Sequence, residues 1–333
     1  NTNALAGVKL IFGINADNQT HRIGFILVPD FSMIGFTSAV EPLRLANRVT
    51  EQTLYSGMSF SVDGAPVTAS NGVTVMVDGD LNDALKLHAV FVCSGLEVHK
   101  YCDKALLSCL RHMASHGTGL GGICTASHIL AKAGLLDNHA CTIHWENLTA
   151  MSEEFPDLEI TSELFEIDRN RYTCAGGTAA LDMMLNWISI QQGANVAADV
   201  ADEMLHHRIR DGHESQRMEL RTRLGVAHPK LLAVVGLMEE NLEEPLSCAE
   251  LAKQAGLSTR QLERLFRKYI RNAPTRYYLG LRLNRARFLL HQTSLPVLSI
   301  ALASGFVSAS HFSKCYRELF KLTPSQERKG TIL

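Results

Sequence analysis

The chain has 333 residues, 46% of them hydrophobic and 20% charged, and a net charge of −2, which excludes a disordered chain and suits two globular domains. No run of 18 apolar residues marks a membrane span and no secretory signal is recognisable, so we expect a cytoplasmic protein without membrane contact. The eight cysteines form no C-x-x-C pair and the histidines show no metal-binding spacing, so we expect neither disulfides nor a metal or other cofactor.

Strands and helices alternate through the first part of the chain. Residues 1–20 are mostly polar and are predicted to form a tail. Beyond them, short apolar runs predict buried parallel strands, most of them followed by helical patterns. The predicted strands are residues 23–28, 88–93, 117–124 and 140–145, with a hairpin over 160–174 and a helix over 178–188. Residues 21–195 are therefore predicted to form an α/β three-layer sandwich, flavodoxin-like, with a mainly parallel sheet.

The second part of the chain has no strand pattern and differs in charge. Residues 224–229 contain a glycine and a proline and mark the expected domain boundary. We predict a helical linker over 196–227 and an all-α domain over 228–333. From His228 onwards, 16 basic and 8 acidic residues give a net charge of +8, whereas residues 1–227 carry −10. This asymmetry favours contact between the second domain and a polyanion.

The all-α domain contains an internal repeat. Gly256 recurs as Gly305 and Pro274 recurs as Pro324, 49 and 50 residues later. In the first copy a capping box begins at Ser258, two residues after the glycine. A glycine that ends one helix just before the capped start of another is typical of a helix-turn-helix. The repeat therefore predicts two helix-turn-helix units.

The second helix of each unit carries its polar residues on one face. Side chains near the start of such a helix can reach base edges in a major groove, and the basic helix between the units adds a further arginine. The predicted DNA-binding residues are Arg260, Gln261, Arg264, Arg282, Ser310, His311, Lys314 and Arg317. Double-stranded DNA is thus the expected partner, with the two units in successive major grooves of one duplex.

Several short motifs of the all-α domain identify a family. They include AGLS at 255–258, RQL at 260–262, GF at 305–306 and TP at 323–324. With these motifs, residues 228–328 resemble the DNA-binding domain of the AraC/XylS family of transcription regulators. The resemblance implies a sequence-specific regulator, usually an activator, that works as a homodimer on paired promoter half-sites together with RNA polymerase.

The first domain has one conspicuous candidate site. In GGICTA, residues 121–126, Cys124 stands at a sharp turn from a strand into a helix, the arrangement of a nucleophile elbow. The helix dipole is expected to lower the pKa of this thiol. Because the carboxyl ends of parallel strands meet at one crevice, residues at neighbouring strand ends should surround it. The predicted ligand-binding residues are Phe31, Gly95, Cys124, Thr125, His144 and Trp145.

This region also resembles a known fold. Residues 22–190 are similar to the PfpI-like, class I glutamine amidotransferase-like domain, and its combination with an AraC-type domain resembles the GlxA group of regulators. The runs SAVEPLR at 38–44 and HWE at 144–146 resemble those of regulators that answer to glycine betaine and related quaternary amines. The resemblance implies a small-molecule effector, and an aromatic face such as that of Trp145 would suit a quaternary ammonium group.

The residues around Cys124 argue against catalysis. A catalytic cysteine needs a base or another activating partner. Enzymes of the resembled fold have a histidine directly after the cysteine or an acid after the first strand, where this chain has Thr125 and Gly35. His144-x-Glu146 imitates the amidotransferase His-x-Glu, but it follows the cysteine too early in the chain. We therefore predict a ligand pocket without enzyme activity. The alternatives are a thiol-dependent hydratase or amidase fused to a DNA-binding domain, a merely structural thiol, and an architectural DNA binder without an effector.

Overall fold

The chain divides into two units, Asn1–Gln216 and Arg217–Leu333, in a computed structural model that describes residues 20–95, 97–293 and 295–329. The predicted tail over 1–20 lies outside the described residues, apart from Thr20. Within the described ranges, no helix is both long enough and apolar enough to cross a lipid bilayer.

The first unit is built on a six-stranded sheet with the strand order β2-β1-β5-β6-β10-β9. All neighbours in this sheet run parallel except β9 and β10, which form the predicted hairpin. The strands of the unit are β1 His21–Leu27, β2 Tyr55–Phe60, β3 Val67–Thr68, β4 Thr74–Val75, β5 Ala89–Cys93, β6 Gly119–Ile123, β7 Cys141–Thr142, β8 Ile160–Thr161, β9 Phe165–Asp168 and β10 Arg171–Cys174. The strand predicted over 140–145 is reduced to β7, which pairs with β8 outside the main sheet.

Helices cover both faces of this sheet. The helices of the unit are α1 Met33–Thr50, α2 Lys104–Ser115, α3 Ser127–Lys132, α4 Leu148–Glu154, α5 Ala179–Gln192 and α6 Ala194–Glu203. Alternate residues of β1 enter different cores: Phe25 packs with α1, α5 and α6, whereas Ile26 packs with α2, α3 and α4. This alternation is what a central strand between two helical layers requires. The predicted three-layer α/β sandwich is confirmed.

The residues predicted to form a linker, 196–227, are shared between the two units. Helix α6 lies in the core of the first unit through Val200, and Arg210 and Gln216 hydrogen-bond back to the same unit. The partners of these two side chains are Asp182 in α5 and Thr142 in β7. The boundary therefore lies after Gln216, because long-range polar contacts hold residues 204–216 in the first unit.

The second unit is helical and shows the predicted repeat. Its helices are α7 Leu220–Leu224, α8 Pro229–Glu240, α9 Cys248–Gln254, α10 Thr259–Leu265, α11 Pro274–Gln292, α12 Val297–Ala303, α13 Ala309–Phe320 and α14 Pro324–Lys329. Helix α10 continues into a π-helical turn over Phe266–Ile270. The two helix-turn-helix units are α9–α10 and α12–α13, and α11 connects them. Both are followed by a helix that begins with proline, Pro274 or Pro324, where a missing N–H costs nothing.

Candidate functional sites

Cys124 lies at a strained turn in the first unit. Strand β6 ends at Ile123, and a 3₁₀ turn over Cys124–Ala126 leads into α3. Cys124 has a φ of 65°, in the left-handed region that residues other than glycine rarely adopt. Such strain persists only where the surrounding structure enforces it, and it is frequent at ligand sites. The structure thus contains the predicted elbow.

A glycine on the next strand connection makes room for this turn. A Cβ atom added at Gly176 would lie 2.6 Å from the Cβ atom of Cys124, and Gly176 itself has a φ of 85°. The Gly176-Gly177 pair forms a turn, and Gly176 is the backbone against which the elbow cysteine packs. The glycine pair after a strand was the only signal for this contact in the sequence.

We expect Gly176→Ala to destabilise the first unit by roughly 2–3 kcal/mol, from overpacking against Cys124 and from the positive φ. Thermal unfolding followed by circular dichroism measures the effect. Gly177→Ala is the matched control, because Gly177 also has positive φ but a Cβ atom there would meet nothing within 4 Å. Equal losses for the two variants would contradict the role of the contact with Cys124.

The predicted ligand-binding residues lie along one edge of the sheet. The Thr125 hydroxyl donates to the carbonyl oxygen of Gly95 at 2.5 Å, and the backbone of Gly95 forms a bridge with Phe31. The backbone N–H of His144 donates to the carbonyl oxygen of Cys124 at 3.3 Å. The ring centres of His144 and Trp145 are 5.6 Å apart. The carboxyl ends of the strands thus bring all six residues to the same edge.

Two of these side chains, those of Phe31 and Thr125, make contacts within the protein. Phe31 is fully buried and packs edge-on against Phe36, because its ring completes the core between the sheet and α1. In this structure the ring faces the core, and its contact with a ligand stays a prediction. Thr125 is also buried, and its hydroxyl proton goes to Gly95. Because Gly95 has no side chain, the backbone of Asp30 can approach it closely: a Cβ atom at Gly95 would lie 2.1 Å from the carbonyl oxygen of Asp30.

Cys124 is a protonated thiol rather than an activated one. Burial raises its pKa to about 12, and the neighbouring Cys174 adds to the effect. The predicted lowering by a helix dipole is wrong, because the turn is followed by a helix of only six residues and the thiol is nine-tenths shielded from water. At Gly35 a Cβ atom would point at Ile123, 3.0 Å from its Cγ2, so the position expected for an activating acid lies beside the elbow and holds no side chain.

Of the six predicted ligand-binding residues, four are buried, and His144 and Trp145 are half-buried. Burial lowers the pKa of His144, so its ring is neutral at physiological pH. Its Nδ1 lies 3.8 Å from a carboxylate oxygen of Glu146 and accepts the backbone N–H of that residue at 3.4 Å. The His-x-Glu pair thus forms a local turn at the edge of the crevice.

The segment before His144 is held by a residue that the sequence did not single out. The Gln216 amide donates to the Thr142 hydroxyl at 3.0 Å and to the carbonyl oxygens of Ile143 and Glu163 at 2.9 and 2.8 Å. It thereby fixes the backbone that presents His144 and Trp145. No local pattern identifies Gln216, because its partners lie more than 50 residues away in the chain.

In the second unit, the second helix of each helix-turn-helix, α10 or α13, begins in the same way. Gly256 and Gly305 have φ values of 62° and 76° at the turns, and Ser258 and Ser308 cap α10 and α13. The inner faces are buried through residues such as Leu262 and Phe312. Seven of the eight predicted DNA-binding residues are exposed on the opposite faces: Arg260, Gln261, Arg264, Ser310, His311, Lys314 and Arg317.

Two of the exposed residues also make local contacts. Gln261 accepts the backbone N–H of Ser258 at 2.8 Å through its side-chain oxygen and so completes a capping box. The imidazole Nε2 of His311 lies 3.3 Å from the Cys315 sulfur. Of the three predicted DNA-binding residues on α10, Arg260 and Arg264 therefore make no such structural contact within the described residues.

Arg282 differs from the other seven. It is half-buried in α11, where it donates to the carbonyl oxygens of Ser304 and Gly305 at 2.9 and 2.5 Å. Its guanidinium lies 4.3 Å from the ring centre of Phe306, and burial lowers its pKa. These contacts fasten the connecting helix to the turn of the second unit. These contacts give Arg282 a positioning role, and its contact with DNA stays a prediction.

Comparisons with known proteins agree with this two-part organisation. Residues 21–190 match the model of the DJ-1/PfpI family, and residues 251–330 match a helix-turn-helix domain. The chain is 46% identical to the HTH-type transcriptional regulator GbdR of Pseudomonas aeruginosa over 96% of its own length and 88% of that protein. It is 47% identical to the HTH-type transcriptional regulator CdhR of the same species, over 91% and 90% of the two chains.

A solved structure supports the fold of the first unit. The crystal structure of an AraC family transcriptional regulator from Pseudomonas putida is 31% identical, with a TM-score of 0.50, and covers 56% of this chain and 99% of its own. The relatives that match over nearly the full chain are transcription regulators. The chain is therefore a transcription regulator and not an enzyme, and it belongs to the AraC-type helix-turn-helix regulators of the GlxA group, whose first domain is of the DJ-1/PfpI family.

Proposed function

We propose that this regulator is controlled by a small quaternary amine or amino-acid derivative that binds at the Cys124 edge of the first unit. The observation that carries the proposal is the position of His144 and Trp145, which lie together, half-buried, at the carboxyl edge beside the strained elbow. Ligands of open parallel sheets bind at this edge. Regulation of genes for the catabolism of such a metabolite fits a DNA-binding protein of this family.

The charges around Trp145 suit a cationic head group. The indole face attracts a quaternary ammonium through its quadrupole. His144 is neutral because burial lowers its pKa, so it adds no repelling positive charge, and the carboxylate of Glu146 lies nearby. The elbow thiol is uncharged as well, and we propose that Cys124 contributes shape to the pocket and no covalent chemistry.

Trp145→Ala and His144→Ala should each weaken the affinity for glycine betaine or the related amine that binds by about tenfold, or about 1.4 kcal/mol. Cys124→Ala should leave the affinity within a few-fold of the parent chain. Isothermal titration calorimetry on the full chain measures all three. A covalent adduct by mass spectrometry, with loss of response only in Cys124→Ala, would contradict the proposed non-covalent pocket.

We propose further that the protein is a cytoplasmic homodimer that activates transcription with RNA polymerase at paired half-sites. The acidic first unit, which carries the opposite charge to the DNA-binding unit, is the proposed dimerisation domain. Residues 1–216 should sediment as a dimer at micromolar concentration, and the full chain should do the same. A dimer formed by the full chain but not by 1–216 would place the interface in the second unit.

A further inference from the structure

Another cysteine of the first unit, Cys102, lies beside a histidine. Cys102 follows a 3₁₀ turn over Val98–Tyr101 and is half-buried. Its Sγ atom lies 3.7 Å from Nδ1 of His128 in α3. The other ring nitrogen of His128, Nε2, lies 2.9 Å from a carboxylate oxygen of Glu154 at the end of α4. A thiol, an imidazole and a carboxylate thus lie in series, apart from the residues of the elbow.

The carboxylate fixes the tautomer of the imidazole. Hydrogen bonds from His128 and Lys132 hold the pKa of Glu154 at about 2, so Glu154 is ionised at every physiological pH. An ionised carboxylate accepts the Nε2 proton of His128, which leaves Nδ1 as an acceptor facing the thiol. The Lys132 ammonium holds the second carboxylate oxygen at 2.5 Å. His128 is buried and packs edge-on against Phe155, so the ring cannot turn freely.

The thiol proton has two acceptors within reach. Sγ of Cys102 lies 3.5 Å from the carbonyl oxygen of Val98 as well as 3.7 Å from His128. Burial raises the pKa of Cys102 to about 11, so the group is a thiol at neutral pH. Attack by its sulfur therefore requires that the proton leaves at the same time, which is the task of a general base in nucleophile–base pairs.

We propose that Cys102 is a modification site at which the thiol, with His128 as general base and Glu154 as its orienting partner, reacts with small hydroperoxides. The sulfur attacks one peroxide oxygen, an S–O bond forms and the O–O bond breaks. The thiol proton passes through Nδ1 of His128 to the leaving oxygen, which departs as water or an alcohol. Sulfur is oxidised to sulfenic acid and the peroxide is reduced, so atoms and electrons balance.

The geometry favours a hydroperoxide over other electrophiles. A half-buried thiol admits only a small reagent. A hydroperoxide also has a leaving oxygen that needs a proton, which a protonated His128 can supply, whereas a halide would need none. The reaction is stoichiometric and its product is reversible by thiols, in keeping with a regulator that is not an enzyme.

The test uses the full, reduced chain treated with hydrogen peroxide at neutral pH. Samples taken at timed intervals are transferred into denaturant that contains dimedone, which traps sulfenic acids at buried and exposed cysteines alike. Peptide mass spectrometry follows the label at each cysteine. Cys102 should be labelled at least about tenfold faster than Cys109, which is half-buried in α2 and whose Sγ lies 3.6 Å from the carbonyl oxygen of Leu81. His128→Gln and Glu154→Gln should each lower the rate at Cys102 by about tenfold or more and leave the rate at Cys109 unchanged.

Melting temperatures show whether each variant is folded. Glu154 is partly exposed, so Glu154→Gln remains informative if His128→Gln does not fold. Equal labelling of Cys102 and Cys109 in the parent chain would overturn the proposal. Faster labelling of Cys124 would do the same, as would an unchanged rate at Cys102 in folded Glu154→Gln.

Discussion

Arg264→Ala should weaken binding to the specific operator by about 1–3 kcal/mol, or roughly five- to 150-fold. The guanidinium is exposed on α10, one turn beyond Arg260, on the face opposite the buried Leu262. An arginine in this position can donate two hydrogen bonds to a guanine edge, which alanine cannot replace. Gln261, between the two arginines, already completes the helix cap, so the arginines are expected to carry most of the base readout.

Fluorescence anisotropy at one fixed salt concentration measures the loss of DNA affinity. The operator is first obtained by selecting, from random DNA, the sequences that the full chain binds. A duplex of random sequence is measured as well. Phosphate contacts contribute to the affinity for either duplex and depend on salt, whereas base contacts contribute to the affinity for the operator only. Arg48→Ala removes an arginine of the first unit that is also exposed, and it should change neither affinity. Arg282→Ala should lower the melting temperature as well as DNA affinity, since its contacts are structural. Equal losses of Arg264→Ala on both duplexes would mean that Arg264 contacts phosphates only.

The features that the sequence predicted correctly are those with local causes. A glycine needed at positive φ and a serine cap two or three residues later identify a helix-turn-helix without any tertiary information, and Gly256 and Gly305 both adopt that conformation. The elbow follows from the Gly-Gly-x-Cys run in the same way, because a Cβ atom at Gly122 would lie 2.7 Å from the backbone nitrogen of Ser127, where the next helix begins. The apolar strands were recognisable because they are buried on both faces.

The features that were not predictable depend on partners distant in the chain. Strand β2, Tyr55–Phe60, was missed because an edge strand with few apolar residues has no distinct pattern. The role of Arg282 follows from carbonyl groups 22 and 23 residues away, and the burial of Phe31 follows from a ring on α1. The sequence assigned Arg282 to DNA from its place on the basic connecting helix and Phe31 to a ligand from its place at a strand end, and neither position reveals these internal contacts.

Asp182→Asn should be among the most destabilising single substitutions in the first unit, at about 3 kcal/mol. It removes the charge of a fully buried carboxylate and replaces one accepting oxygen by an amide group that cannot accept the Arg210 or His206 hydrogen bonds. Asp182 has no exposed surface, and its carboxylate accepts the His206 ring at 2.8 Å and the Arg210 guanidinium at 2.9 and 2.6 Å. The backbone N–H of Arg210 donates to it as well, at 2.8 Å. Three groups of the segment 204–216 thus depend on one carboxylate in α5.

For a unit of this size, a loss of about 3 kcal/mol corresponds to a fall of roughly 6–12 °C in the melting temperature, which differential scanning calorimetry resolves. Glu214→Gln is the matched control in the same segment: it removes a partly exposed carboxylate that pairs with the exposed Arg208 and should change the melting temperature little. Limited proteolysis supplies an independent readout, since release of the segment should bring cleavage within 204–216 in Asp182→Asn before the core is attacked. A melting temperature within about 2 °C of the parent, with no new cleavage, would show that other contacts, such as the packing of α6 and the hydrogen bonds of Gln216, retain the segment and that the boundary after Gln216 does not depend on Asp182.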